Sequence, residues 1–221
     1  CLEVCRRHNV IYISDEVVTG FGRLGHWYAS EPVFGITPDI IISAKGLTSG
    51  YVPLAAMIIS DRLIDEVSQS VEGGAVFSNG FTYSGHPVAC AAALANMDVF
   101  ESDGLLENAR TLGPYMQSQL QSLADLPIVG DIRGRGLMGC LECVVSKESK
   151  QPLDLDYAVG SRIDKYCQQL GLLVRPLINM CVMSPPLCIT TEQIDDMVKI
   201  LREGISRTMD DLEREGVGRF S

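Results

Sequence analysis

Residues 11–53 read IYISDEVVTGFGRLGHWYASEPVFGITPDIIISAKGLTSGYVP, and two apolar runs in and beside this stretch decide the fold. The first, Val10-Ile11-Tyr12-Ile13-Ser14, ends at Asp15-Glu16; the second, Ile40-Ile41-Ile42-Ser43-Ala44, ends at Lys45-Gly46. Runs this short, rich in β-branched residues and bounded by turn signals, predict buried strands of a parallel sheet. In such sheets ligands sit outside the carboxyl ends of the strands. Asp15 and Lys45 are therefore expected to point into one crevice. An acid and an amine at neighbouring strand ends can equally form an ion pair that closes a sheet edge, and spacing alone does not choose between the two.

The flanking residues favour chemistry. Gly46 and Gly50 follow the lysine and let backbone approach a ligand closely. A lysine at an apolar strand end, partly desolvated, suits a nucleophilic amine. Schiff-base chemistry on pyridoxal phosphate needs such a lysine, together with a carboxylate that keeps the pyridine nitrogen protonated.

Three separated stretches, DEVVTGFGRLG (15–25), TPDIIISAKGLTSGYVPLAA (37–56) and GFTYSGHPVACAAALAN (80–96), resemble class III pyridoxal-phosphate aminotransferases, the ω-amino acid:pyruvate group in particular. The resemblance implies an α/β chain of fold type I. Residues 1–104 would form the C-terminal part of a large cofactor-binding domain with a mostly parallel sheet, and residues 105–221 a small C-terminal α/β domain. It implies Lys45 as the Schiff-base and proton-transfer residue, Asp15 as partner of the ring nitrogen and Val17 as packing on the ring. Thr82 would reach the cofactor phosphate of the neighbouring subunit, which implies a catalytic homodimer. Arg175, in LVRPL (173–177), would bind the carboxylate of a substrate. Trp27 would line the amino-donor pocket, although core packing explains it equally well. Val18 stands where several relatives have glutamine, and Ile178-Asn179 where the subgroup often has glycine. The implied reaction moves an amino group from an ω-amino acid or amine to a keto acid such as pyruvate. A mutase or racemase on the same scaffold would share Lys45 and Asp15.

Family members carry a long upstream half with a phosphate-binding loop and an aromatic residue that stacks on the cofactor. Neither is assignable here, and the chain opens on what reads as the last turns of a helix, Cys1 to Asn9, so it is expected to be a fragment. A catalytically inactive remnant is the corresponding alternative.

Composition sets the outer bounds. A chain of 221 residues, 46% hydrophobic, holds one sizeable core or one large and one small unit. The net charge of −10 argues against a nucleic-acid or acidic-membrane partner. No apolar run approaches a membrane span. Eight cysteines sit in apolar contexts, Cys90, Cys167, Cys181 and Cys188 among them, which suits buried reduced thiols and a cytoplasmic setting.

Two formal GxGxxG patterns, 20–25 and 134–139, lack the strand-and-helix context of a dinucleotide site. The Cys140–Cys143 pair has no second pair or nearby histidine and reads as structural. The remaining pattern predicts a buried strand at 53–60, antiparallel or parallel beside Lys45, a helix at 61–70, a turn-rich stretch at 73–85, and a helix from Pro87 to Glu101. A helix from Leu105 to Leu123 follows, kinked at Gly113-Pro114. Beyond it come strand character over 128–145, a helix at 155–170, strands at 172–177 and 180–183, and a last helix with Thr190 and Gln193 at capping-box spacing.

Overall fold

Ile13–Asp15 (β1) and Ile40–Ser43 (β2) form adjacent parallel strands in the computed structural model, which describes residues 1–68 and 79–217. Their register pairs Ile13 with Ile40, Ser14 with Ile41 and Asp15 with Ile42. Ala56–Ile59 (β3) then pairs antiparallel with β2, giving a three-stranded sheet of order β1-β2-β3. Of the two directions left open for the third strand, the antiparallel one is realised. A parallel return needs a crossover that is usually an α-helix, and the segment after β2 carries only the short 3₁₀ turn Lys45–Leu47.

The chain divides into two compact units, Cys1–Leu106 and Glu107–Ser221. In the first, helix α1 (Leu2–Arg7) ends at Asn9, whose φ of 50° makes the stop. A short helix α2 (Ser30–Phe34) precedes β2, and α3 (Asp61–Ser68) follows β3. The predicted last turn of α3, at 69–70, and the beginning of the turn-rich stretch, 73–78, lie outside the described residues. Helix α4 (Pro87–Ser102) opens with proline at its first turn, where a missing N–H costs nothing, and buries Ala89, Ala93 and Phe100.

The strands of this unit are less buried than their composition predicts. Val10, Ile11, Ile13, Met57 and Ile58 each expose roughly half of their surface, 45–52%. A run of β-branched residues shows that a strand is suited to a covered sheet; it does not supply the cover.

The second unit is an antiparallel sheet packed with helices. Its strands are β4 (Val129–Arg135), β5 (Met138–Ser146), β6 (Gln151–Pro152), β7 (Arg175–Leu177) and β8 (Met180–Met183), in the order β4-β5-β8-β7 with β6 on β5. Helices α5 (Leu105–Gln121, almost wholly in this unit), α6 (Val159–Gln169) and α7 (Thr191–Arg214) bury Met116, Leu120, Ile163, Ile194, Leu201, Ile205 and Leu212 in one apolar cluster. Both bonds of the predicted capping box form: Gln193 N–H donates to Thr190 Oγ1 at 3.3 Å, and Thr190 N–H to Gln193 Oε1 at 3.0 Å. Pro114 is accommodated inside α5. Gly113 is required there, because a Cβ would lie 2.8 Å from the Cα of Gly136.

Candidate active site

Asp15 closes β1 and Lys45 begins the turn that follows β2, so the parallel pairing brings both to the carboxyl ends of neighbouring strands. Among the described residues no ion pair joins them, so the edge-closing alternative is not realised. The Asp15 carboxylate accepts a hydrogen bond from Val17 N–H at 3.0 Å, which fixes the turn into residue 17. Lys45 is exposed in this chain rather than partly desolvated, because its strand end lacks an apolar cover among the described residues. Its backbone is unusual. A φ of 44° places it in the left-handed region, where a side chain costs about 1–2 kcal/mol. Such strain clusters at functional sites.

Glu16, which sequence reasoning passed over, holds this corner. It is buried at 2% exposure. Its carboxylate accepts from Ala29 N–H at 2.6 Å, Ser30 N–H at 2.7 Å, Ser30 Oγ–H at 2.5 Å and Thr19 Oγ1–H at 3.2 Å. Those donors satisfy a buried charge and place a carboxylate at the start of α2. Ser14, two residues before Glu16, brings its Oγ to the same Ser30 Oγ at 2.8 Å. The effect is to hold β1, the Asp15–Val17 turn and the loop to α2 as one piece.

That loop contains the first glycine-rich pattern, and it opens no helix. Phe21 N–H donates to Trp27 O at 2.7 Å and Gly22 N–H to His26 O at 3.0 Å, folding the segment back on itself. The second pattern is the turn of the β4–β5 hairpin, where Gly134 pairs with Gly139. A strand therefore does precede it, but another strand, not a helix, follows.

A second buried carboxylate, Asp39, precedes β2. It accepts from Arg6 at 2.6 Å, Arg62 at 2.8 Å and Tyr12 N–H at 2.8 Å. The Tyr12 N–H and the two guanidiniums hold it well below the usual carboxylate range. Its role is to tie α1, α3 and the start of β2 together.

The other expected site residues fall as follows. Val17 is half-buried beside Asp15. Trp27 stacks on Phe100 with ring centroids 5.5 Å apart and meets Phe21 edge-on at 5.9 Å, so packing accounts for its position. Thr82 is exposed in the segment leading to α4, and no hydrogen bond or ion pair links it to Asp15 or Lys45. Arg175 is exposed at the start of β7, in the second unit. Ile178, in the β7–β8 turn, has φ 57°, the conformation for which glycine is ordinarily used.

All eight cysteines are free; Cys143, Cys167 and Cys181 are buried, whereas Cys188 and Cys1 are exposed and Cys90 is half-buried. Cys188 therefore departs from the expected burial: it lies in the turn before α7 rather than on a packed face. Among the described residues no group of His, Cys, Asp or Glu is placed to hold a metal, and no helix is long and apolar enough to cross a membrane.

Asp15 and Lys45 carry the two groups that a pyridine ring with a carbonyl substituent calls for, an acceptor for its nitrogen and an amine for its carbonyl. The described residues place one hydrogen bond on the Asp15 carboxylate, from Val17, so acceptor capacity remains for a protonated ring nitrogen. The Lys45 ammonium makes no hydrogen bond or ion pair with the described residues. The backbone after it packs closely, since a Cβ on Gly46 would lie 2.7 Å from the Cβ of Phe21.

Comparison with known proteins shows the family. The family model described as aminotransferase class-III matches residues 1–205. An uncharacterized aminotransferase of Sinorhizobium fredii is 42% identical over 96% of this chain and 46% of its own length. The putrescine–pyruvate aminotransferase of Pseudomonas aeruginosa is 37% identical over 93% of this chain and 44% of its own length. A PLP-bound aminotransferase mutant from Vibrio fluvialis superposes with a TM-score of 0.90 at 40% identity, covering 95% of this chain and 46% of that one. The chain thus spans just under half the length of the relatives it matches, at 46% and 44%. It belongs to the class III aminotransferase family.

Proposed function

We propose that the protein containing this chain is a pyridoxal-phosphate aminotransferase that moves an amino group from an ω-amino acid or amine to a keto acid such as pyruvate. The observation that carries the reading is the placement of Asp15 and Lys45 at the same ends of two adjacent parallel strands. The PLP-bound Vibrio fluvialis structure and the putrescine–pyruvate relative support the cofactor and the substrate class.

Pyridoxal phosphate, when bound, supplies an exchangeable carbonyl and an electron sink. The chain supplies the rest. Lys45 Nζ would hold the cofactor and, once the amino donor has taken its place there, would be free to carry the proton from the substrate carbon. Asp15, oriented by Val17 N–H, would pair with the protonated ring nitrogen. Val17 packs on the ring, and Trp27 borders the amino donor. Arg175 presents a planar fork to a substrate carboxylate. Thr82 holds the cofactor phosphate of a neighbouring subunit, so the working form is a homodimer. A cytoplasmic setting suits the free cysteines.

The test is borohydride reduction after incubation with pyridoxal phosphate, followed by peptide mass mapping. A reduced pyridoxyl adduct on Lys45 is expected. The absence of any Lys45 adduct in the whole protein would overturn the reading.

A further inference from the structure

We propose that Asn96 is a positioning residue for Lys45, an inference that rests on reading Lys45 as the cofactor lysine. The turn from residue 45 to residue 50 contains three residues at positive φ: Lys45 at 44°, Ser49 at 49° and Gly50 at 81°. Two of these carry side chains, and strain of this kind persists only where the surroundings over-determine it. Two surroundings do so. On one side Phe21 closes against the backbone at Gly46, leaving no room for a side chain there. On the other side stands the carboxamide of Asn96, fifty residues along the chain from Gly46, on helix α4.

Both donors of that carboxamide and its oxygen are engaged. Its Nδ2 donates to Gly46 O at 2.9 Å and to Leu47 O at 3.1 Å. Its Oδ1 accepts from Ser49 Oγ–H at 2.7 Å. Two carbonyls on one end require the amide nitrogen there, so the orientation of the group is set by its partners. A single flat side chain thereby grips three residues that follow Lys45 in the same tight turn. α4 is itself anchored by Ala89, Ala93 and Phe100, all buried, so the grip is taken from a fixed element. Asn96 makes no hydrogen bond to the Lys45 amine among the described residues. It acts by fixing the backbone from which that amine projects.

The test compares Asn96→Ala and Asn96→Asp with the parent in the whole protein. The aspartate keeps the shape and the acceptor for Ser49 but has no donor for the two carbonyls. Three quantities are read: cofactor affinity from the borohydride-trapped Lys45 adduct against pyridoxal-phosphate concentration, the pH midpoint of the visible band of the cofactor-bound protein, and the melting temperature. Both variants are expected to bind about tenfold more weakly, the effect of losing two hydrogen bonds, and to shift the spectroscopic midpoint. A role confined to packing leaves that midpoint in place and spares the aspartate variant. An adduct in the parent with unchanged affinity and midpoint in both variants overturns the inference alone. No Lys45 adduct in the parent overturns the functional reading and this inference with it.

Discussion

Glu16 and Ser30 are joined twice over, the same carboxylate oxygen accepting from the Ser30 amide at 2.7 Å and from its hydroxyl at 2.5 Å. With Ala29 N–H on the other oxygen, this buried acid is the joint between β1 and the loop that carries the aromatic cluster. Replacing it by alanine leaves two backbone donors without a partner in a buried place. Glu16→Ala is expected to destabilise the chain by about 2–4 kcal/mol. Glu16→Gln, which keeps one acceptor oxygen, is expected to cost less. Denaturant unfolding measures the loss, and hydrogen exchange at the Ala29 and Ser30 amides shows whether it is local. Protection of those amides unchanged in the alanine variant would contradict the assignment.

Lys45→Ala removes the only amine assigned to proton transfer. In the whole protein, transamination is expected to fall at least about 10²–10⁴-fold, the usual worth of a positioned acid–base group. A keto-acid-dependent amino-transfer assay with product identification reads the outcome, and turnover near the parent rate would remove Lys45 from its role. The same assay distinguishes a mutase or racemase, which would give no net transfer.

Asp39 makes stability depend on acidity in a defined direction. Its folded-state pKa lies below the ordinary carboxylate value because of Tyr12 N–H, Arg62 and Arg6. The stabilisation is therefore present above the unfolded carboxylate pKa of about 3.9, and it is lost as the pH falls below that range. Unfolding of the parent and of Asp39→Asn across pH is expected to show a gap at neutrality that closes on acidification. A gap constant with pH would mean that the network acts through shape alone.

Burial pushes the Cys143 thiol up to about 12 and the Cys181 thiol higher still. Cys1 and Cys188 are exposed. A thiol-specific reagent at neutral pH is expected to label Cys1 and Cys188 in the folded chain, while Cys143 and Cys181 react only on unfolding. Fast labelling of Cys143 under native conditions would mean that the sheet of the second unit opens locally.

Gly160 N–H, in the first turn of α6, donates to Ile178 O in the β7–β8 turn at 2.9 Å. A Cβ on Gly160 would lie 2.8 Å from that oxygen and 2.6 Å from Met180 O. Gly160→Ala is expected to cost about 1–3 kcal/mol. Ile178→Asn, which tolerates the left-handed φ, is expected to stabilise by about 1 kcal/mol. Thermal unfolding of the two variants, with shifts of opposite sign, checks both.

The positions of Asp15 and Lys45 were legible in the sequence because each ends an apolar run, and a parallel pairing then forces the two ends together. The capping box of α7 was legible for a similar reason, since its partners are three residues apart. Glu16 and Asn96 were not. Most of their partners are backbone groups brought close by the fold, at separations of 13 to 14 and about 50 residues, and such groups carry no residue-type signal. The exposure of Ile13 and Ile58 was also hidden, because hydrophobicity records what a strand is suited to pack against and not whether that neighbour is present. The antiparallel turn of β3 depended on the absence of a crossover helix after Lys45, a weaker signal than any strand.

The left-handed backbone at Lys45 sets stability against chemistry at one position. Glycine adopts that φ without cost, so Lys45→Gly is expected to raise the unfolding free energy by about 1 kcal/mol while deleting the amine. A thermostability screen that ignored turnover would favour losing this lysine. Stabilised libraries of this protein should therefore hold residue 45 fixed and seek their gains elsewhere, for instance at Ile178, where the same backbone conformation carries no assigned chemistry.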